Sequence, residues 1–139
     1  MERLVITGAS GQLGRLAAGH ALARVEPARL ILVTRRPDQL ADLAARGTHV
    51  RIGDFDDPAS LRSAFEGAHR LLLISAVDLA RRVVQHRAAI DAAVSAGVRR
   101  IVYTSMISPA APNPAAVAPS HLQTEEALRW CGFDWTLLR

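Results

Sequence analysis

Apolar runs of strand length alternate with helical patterns along this sequence, and the alternation limits the fold more than any other feature. The apolar runs are residues 4–6, 30–33, 49–52, 70–74, 100–104 and 133–138. A strand, a helix and a second strand form the repeating unit of a parallel sheet. The run at 30–33 is continuously apolar, as expected of a strand covered by helices on both faces. The sequence therefore predicts a doubly wound parallel α/β sheet.

Capping and helix-breaking residues predict where the helices begin and end. The helical patterns cover residues 12–25, 37–46, 57–66, 79–96 and a last segment from Ser120. Asp57 and Asp78 each stand where a side chain can cap a helix start, and Ser120 with Gln123 fits a capping box. The loop 105–119 holds four of the seven prolines. It follows a strand end, where parallel sheets bind ligands.

The chain contains no lysine, and this excludes several chemistries. All 17 basic residues are arginine, and an arginine side chain cannot lose its proton and act as a base. Schiff-base catalysis, P-loop phosphate binding and a Tyr-x-x-x-Lys proton relay all need lysine.

A length of 139 residues fits one domain, which we expect to span residues 1–139. No metal site is predicted.

Charge and apolar patterning indicate which partners to expect. The formal net charge is +4, but the arginines are spread along the chain and few aromatic residues could stack on bases, so we expect no nucleic-acid binding. No apolar run approaches ~18 residues, and the sequence starts directly with a strand, so neither a membrane span nor a signal peptide is expected. The single cysteine, Cys131, suits the reducing cytoplasm.

Three glycines follow the first strand at the spacing G-x-x-G-x-x-G. They lie in the segment Thr7-Gly8-Ala9-Ser10-Gly11-Gln12-Leu13-Gly14. Glycines here allow a tight turn and let backbone N–H groups approach a pyrophosphate, while the next helix points its positive end at the phosphates. An ordinary tight turn is the alternative. The position of the motif between a strand and a helix favours a dinucleotide site.

The end of the second strand predicts which dinucleotide binds. NAD sites usually place an acidic residue there to bind the ribose 2′-hydroxyl, whereas NADP sites place arginine at the 2′-phosphate. This chain has Arg35 and Arg36 and no carboxylate, so NADP(H) is favoured over NAD(H), with Arg35 as the main contact and Arg36 as its helper. Two solvated surface arginines are the alternative.

Later strand ends supply further candidates for the coenzyme site. Asp54 follows the third strand and could accept from an adenine amino group, although it could equally help to cap the next helix. Ser75 ends the fourth strand, and Tyr103 and Thr104 end the fifth, so all three border the crevice expected at that edge. His86 lies two turns into the long helix, where we interpret it as a partly buried surface residue rather than a catalyst.

Six segments together resemble the atypical short-chain dehydrogenase/reductases. They are residues 7–14, 72–75, 85–87, 96–98, 101–105 and 135–139. Within that superfamily the chain is most similar to the NmrA-like group, and especially to type 2 NADPH:quinone oxidoreductases. The likeness runs from the first strand to the last residue.

The resemblance implies a fold, a coenzyme and a set of site residues. It implies a Rossmann sheet and NADP(H) bound by the loop Gly8, Ala9, Ser10, Gly11, Gln12 and Leu13, with Arg35, Ser75, Tyr103 and Thr104 also near the coenzyme. It also implies a small aromatic or quinone-like acceptor and a carboxyl-terminal region that shapes the acceptor pocket. The sequence stops before that region, so we expect either a truncated chain or a pocket completed by another subunit, as in a homodimer.

The catalytic pair of ordinary short-chain dehydrogenases is replaced in this chain. Where they have Tyr-x-x-x-Lys, this sequence has His121 and Glu125. Ketone reduction needs an acid beside the forming alkoxide, whereas a reduced quinone is a delocalised phenolate that water can protonate. The change therefore favours quinone reduction over carbonyl reduction, with His121 as the candidate proton donor. A non-catalytic NADP(H) sensor of the NmrA type is the alternative function, and His121 could equally be structural.

Overall fold

All six strands lie in one parallel sheet. The computed structural model describes residues 1–139. The strands are β1 (Leu4–Ile6), β2 (Leu30–Thr34), β3 (His49–Ile52), β4 (Arg70–Leu73), β5 (Arg100–Thr104) and β6 (Asp134–Leu138). Their order across the sheet is β3-β2-β1-β4-β5-β6, and every neighbouring pair is parallel. This is the strand order of a Rossmann sheet, so the predicted fold class is confirmed.

Five helices cover the two faces of the sheet. They are α1 (Gln12–Leu22), α2 (Ala41–Ala45), α3 (Pro58–Ala64), α4 (Arg82–Ser95) and α5 (Ala118–Arg129), and short 3₁₀ turns occupy Pro27–Arg29 and Pro37–Leu40. Ala18 of α1 and Leu43 of α2 share one apolar cluster with Ile6 and Leu32. The larger cluster lies on the opposite face, between the sheet and α3, α4 and α5.

β2 shows why this sequence forms a sheet covered on both sides. All five of its residues are buried, and three of them belong to the two apolar clusters, with Leu32 in one and Ile31 and Val33 in the other. Alternate side chains of a strand point to opposite faces. A strand without a polar face is therefore stable only with helices on both sides of it.

The topology fixes where a ligand can bind. β1 and β4 are neighbours in the middle of the sheet, and the chain leaves their carboxyl ends in opposite directions, toward β2 and toward β5. A crevice opens at such a reversal point. Ile6 and Leu73 immediately precede the two segments that line it, residues 7–14 and 74–78.

Two predicted helix starts are wrong. Ser120 lies inside α5, whose cap position is Val117, and its hydroxyl donates to the Val117 carbonyl oxygen at 2.9 Å. The Ser120–Gln123 capping box therefore does not form, because Pro119 is already accommodated in the first turn. The long helix begins at Arg82 and not at residue 79, and Asp78 accepts from the N–H groups of Ala80 and Arg81 in the preceding turn. The Asp57 cap is confirmed by its bond from the Ser60 N–H.

None of the helices is both long enough and apolar enough to cross a membrane.

Candidate functional site

A groove of about 560 Å³ opens along the carboxyl edge of the sheet. Four chain segments form its walls, namely the glycine-rich turn, the end of β2, the segment after β3 and the segment after β4. The lining residues are Thr7, Gly8, Ser10–Gly14, Val33–Arg35, Gly53–Asp56, Leu61, Ile74–Asp78 and Gln85. An extended molecule of dinucleotide size fits a groove of this volume.

The glycine-rich turn presents free backbone donors to the groove. Gly8 has φ of +60°, a left-handed conformation that favours glycine. The Ala9 N–H donates to the Val33 carbonyl oxygen at 3.1 Å, and the Gly11 N–H donates to the Gly8 carbonyl oxygen at 3.0 Å. Gly11 caps α1 without a side-chain hydrogen bond, so the first N–H groups of this helix remain available to an anion.

Two glycines let chain segments approach more closely than any side chain would permit. A Cβ atom on Gly14 would stand 2.1 Å from the Gly8 carbonyl oxygen, and one on Gly53 would stand 2.4 Å from a Val33 methyl group. Gly14 brings α1 against the turn, and Gly53 brings the end of β3 against β2. The shape of the groove walls therefore depends on glycine at both positions.

The end of β2 forms a polar corner, in which arginines and no acidic residue follow the strand. Ser10 and Thr34 share a hydrogen bond of 2.8 Å between their hydroxyl oxygens, and Thr34 also accepts from the Arg36 N–H at 3.0 Å. Arg35 lines the groove at this corner, and its guanidinium forms no ion pair within the chain. A free guanidinium beside two hydroxyl groups is suited to binding a phosphate. Arg36 is outside the lining.

The segment after β3, next to the end of β2, adds an aromatic ring and two carboxylates to the groove wall. Phe55 is half-buried there and lies between Asp54 and Asp56 in the wall. Asp54 accepts from the Asp56 N–H at 2.8 Å through one carboxylate oxygen, so this short turn is held by its own side chain. An aromatic face flanked by oxygen acceptors can hold a purine ring that carries an amino group.

Buried side chains hold the segment after β4 in place. The Ser75 N–H donates to the Thr104 hydroxyl at 2.8 Å. The Ala76 N–H donates to Nε2 of His86 at 2.8 Å, and the Ala76 carbonyl oxygen accepts from Nε of Arg82 at 2.6 Å. The N–H and the carbonyl oxygen of Ala76 are therefore both held by side chains of α4. Because Ser75 and Ala76 line the groove, α4 and β5 set the position of this wall.

His86 is neutral and has one defined tautomer. Its Nε2 accepts from a backbone N–H, so the proton must be on Nδ1, which lies 2.9 Å from the Thr124 hydroxyl oxygen. Burial lowers the pKa of His86 to about 3, and the nearby charge of Arg82 adds to the effect. The side chain is fully buried. The sequence-based interpretation of His86 as a partly buried surface residue was therefore wrong.

A second polar cluster lies beneath this wall, between β5 and α5. The Tyr103 hydroxyl is 2.6 Å from Nδ1 of His121, and both residues are buried. Burial raises the pKa of Tyr103 to about 12 and lowers the pKa of His121. These pKa directions keep the Tyr103 phenol protonated and the His121 imidazole neutral at pH 7.

Glu125 is the one buried carboxylate in this cluster. It accepts from the Ser105 hydroxyl at 2.5 Å and from Nη2 of Arg139 at 2.7 Å, and Arg129 stands 3.7 Å away. Burial alone would raise the pKa of Glu125, but the hydrogen bonds from Arg139 and Ser105 outweigh it and lower the pKa. Glu125 is thus a charged structural anchor in the position where ordinary short-chain dehydrogenases have lysine.

The structure brings most, but not all, of the predicted site residues to one groove. Eight of them line it: Gly8, Ser10, Gly11, Gln12, Leu13, Arg35, Asp54 and Ser75. Ala9, Tyr103, Thr104 and His121 are outside the lining, where Ala9 and Thr104 hold neighbouring segments by hydrogen bonds. Sequence reasoning missed Arg82 and Gln85. Their spacing in the sequence could have indicated them. Positions 82, 85, 86 and 89 fall on one face of a helix, and this face of α4 is buried.

Residues 8–139 match the NAD(P)H-binding family. The chain belongs to this family. Among its relatives is quinone oxidoreductase 2 of Escherichia coli K12, which is 40% identical over 98% of this chain and 47% of its own length. An NmrA-like family domain-containing oxidoreductase of Aspergillus flavus is 29% identical over 99% of this chain and 47% of its own length. The resemblance to NmrA-like proteins and quinone oxidoreductases is thereby confirmed.

Solved structures agree with this assignment to the NAD(P)H-binding family. The triphenylmethane reductase of Citrobacter sp., solved in complex with NADP(H), superimposes with a TM-score of 0.94 at 37% identity. The match covers 99% of this chain and 48% of the reductase. This member of the family therefore spans about half the length of the curated and solved relatives that it matches.

Proposed function

We propose that this chain binds NADPH in the groove and forms the coenzyme half of an oxidoreductase that reduces a quinone-like acceptor. The observation that carries the proposal is the corner at the end of β2, where Arg35 lines the groove without an ionic partner and the strand is followed by arginine in place of an acidic residue. A carboxylate at this point would repel the 2′-phosphate that distinguishes NADPH from NADH.

Each part of the groove has a role in holding the coenzyme. The uncapped start of α1 and the turn at Gly8 would donate backbone N–H groups to the pyrophosphate. Arg35, with Ser10 and Thr34, would bind the 2′-phosphate. Asp54 and Phe55 would hold the adenine, and Ser75 and Ala76 would face the ribose of the nicotinamide. The cradle suits the group, because the close approaches at Gly14 and Gly53 hold α1 against the glycine-rich turn and the end of β3 against β2, and these segments form the groove walls.

The chain supplies binding and orientation more than proton transfer. Reduced nicotinamide, when bound, donates a hydride, and a quinone that accepts it takes one proton from water to become the hydroquinone. The Tyr103 hydroxyl is buried and bonded to His121, and Glu125 is bonded to Ser105 and Arg139. With these groups occupied, an acceptor whose reduced form needs no enzymatic acid is the better substrate. His121 remains the candidate donor within this proposal.

A non-catalytic NADP(H) sensor is the second candidate function. The same buried pairings favour it, because no ionisable side chain with a free proton to transfer lines the groove at Ser75 and Ala76. A sensor needs the coenzyme site but no acceptor pocket. Nothing else in the groove distinguishes the two functions.

One experiment tests both functions. The purified chain is titrated with NADPH by calorimetry and is then mixed with NADPH and a simple benzoquinone while the nicotinamide absorbance is followed. NADPH oxidation above the rate of the protein-free reaction supports the reductase. Tight binding with no such oxidation supports the sensor. If calorimetry detects no binding of NADPH or NADH by folded protein, both functions are wrong.

A cytoplasmic location and pairing with a second copy complete the proposal. The lone Cys131 suits a reducing compartment. Val84 is 66% exposed on α4 and lies in a shallow groove with Arg87 and Asp91, whose opposite charges could pair across a two-fold axis. Light scattering on the chain and on Val84→Glu tests the homodimer, since the variant should remain monomeric at concentrations where the parent pairs.

A further inference from the structure

Gln85 contains the one buried side-chain polar atom that has no hydrogen-bond partner. This atom is Oε1, and the residue as a whole is 7% exposed. A buried acceptor without a donor is unfavourable, and such atoms in native proteins usually indicate a ligand or a water that completes them. Gln85 also lines the groove, so a molecule bound there lies against the side chain that carries this oxygen.

The neighbouring residues fix the orientation of the Gln85 amide. Its Nε2 donates to Oδ1 of Asp56 at 3.2 Å, and the same carboxylate oxygen accepts from Nη2 of Arg81 at 2.9 Å. A carboxylate can only accept hydrogen bonds. The amide nitrogen must therefore face Asp56, and the amide oxygen is the atom left without a partner.

The surroundings of Gln85 define what could bind to it. The nearby lining contains Phe55, Asp54 and Asp56, which supply an aromatic face and oxygen acceptors but no side-chain cation. A flat ring that carries an N–H donor matches this end of the groove. A ring that carries a carbonyl oxygen at the same position would place two acceptors against each other.

We propose that Oε1 of Gln85 accepts a hydrogen bond from the amino group of adenine and that Gln85 selects adenine over hypoxanthine in the dinucleotide. This inference rests on the proposed function, since it assumes that the groove holds NADPH. At C6 adenine has a donor amino group where hypoxanthine has an acceptor oxygen, and the adjacent N1 changes from an acceptor to an N–H donor. Gln85 is thus a specificity-determining residue of the coenzyme groove.

The test compares NADPH with its reduced hypoxanthine analogue, which keeps the nicotinamide, both riboses and all phosphates. Dissociation constants are measured by calorimetry for the parent chain and for Gln85→Met, which preserves the length of the side chain and removes the acceptor. The parent should bind NADPH about tenfold more tightly than the analogue, as expected for one hydrogen bond replaced by a repulsive contact. In Gln85→Met the ratio should fall to about two.

Two further variants make the result specific. Gln123→Met changes an exposed glutamine of α5 in the same way and should keep the tenfold ratio. Asp56→Ala removes the group that orients the amide and should also lower the ratio, which provides a second test if Gln85→Met does not fold by circular dichroism.

The possible failures are distinct. If the parent chain binds neither dinucleotide, the proposed function is wrong and this inference is wrong with it. If the parent binds both dinucleotides with equal affinity, or if Gln85→Met and Asp56→Ala keep the tenfold ratio, the groove binds the coenzyme but Gln85 does not select the base.

Discussion

Nε2 of His86, on α4, accepts a hydrogen bond of 2.8 Å from the N–H of Ala76, in the wall of the groove. The bond requires a neutral imidazole, because a protonated ring would present N–H to N–H. The charge state of one buried histidine is therefore coupled to the position of the segment that faces the nicotinamide ribose in the proposed complex.

This coupling predicts that stability falls in mild acid. The pKa of His86 is lowered to about 3 in the folded chain and is ordinary, about 6.5, in the unfolded chain. Between these values the unfolded state binds the extra proton, so the stabilisation is complete above pH 6.5 and is lost as the pH falls toward 3. Urea unfolding should show a loss of about 1.4 kcal/mol per pH unit between pH 6 and 4 from this residue.

A substitution separates His86 from the other titrating groups. His86→Gln keeps a side-chain acceptor for the Ala76 N–H and cannot titrate, so its stability should change less steeply with pH than that of the parent. A residual slope is expected, because burial also lowers the pKa of His121. Parallel pH profiles for the parent and the variant would contradict a neutral, buried His86.

A second prediction concerns two glycines of the same helix. Gly14→Ala should destabilise the chain by about 3 kcal/mol, because the new Cβ atom would stand 2.1 Å from the Gly8 carbonyl oxygen and force the backbone apart. Gly19→Ala is the matched control. A Cβ atom there meets nothing within 4 Å, so the variant should gain about 0.5–1 kcal/mol of helix stability. Thermal unfolding of both variants gives the comparison, and equal effects at the two positions would show that Gly14 is not tightly packed.

The fold was predictable because its signals are local. A continuously apolar run such as Leu30–Val33 and a glycine spacing such as Gly8–Gly14 are visible in the sequence without any knowledge of long-range contacts. The same signals place the glycine-rich turn in the groove wall, whereas its contact with phosphate stays a prediction. Helix starts were less predictable, as Ser120 shows, because several nearby residues can cap a helix and packing decides among them.

The interior polar groups were not predictable from spacing alone. His86 and Gln85 contact residues 10 and 29 positions away along the chain, and an isolated histidine in a helix indicates nothing about such partners. Tyr103 shows the opposite error. Its position at a strand end predicted a place beside the groove, but the residue is outside the lining and its ring occupies the core side of β5, next to His121.

A third prediction tests which coenzyme is favoured. Arg35→Ala should weaken NADPH binding tenfold to a hundredfold, the value of one or two charge-assisted hydrogen bonds to the 2′-phosphate, and should change NADH binding less than twofold. Arg36→Ala is the matched control and should have a smaller effect, because Arg36 is outside the groove lining. Calorimetric titrations of both variants with both coenzymes decide the point. Equal losses for NADPH and NADH in Arg35→Ala would exclude contact with the 2′-phosphate.

The last prediction concerns Glu125, whose charged form is stabilised in the folded chain. Its pKa is lowered by the hydrogen bonds from Arg139 and Ser105 in spite of burial, so its charge stabilises the fold above its ordinary pKa and this contribution is lost as the pH falls through the lowered value. Glu125→Gln should cost about 1–2 kcal/mol at pH 7, since the shape is kept and the charge is lost. The cost should shrink at a second, acidic pH below that lowered pKa, where the carboxyl group of the parent is also neutral. Glu126→Gln, at an exposed position of α5, should leave the free energy of unfolding unchanged at both pH values. Urea unfolding of the parent and of the two variants at both pH values gives the comparison. A cost for Glu125→Gln that is the same at both pH values would mean that packing, and not charge, makes this residue important.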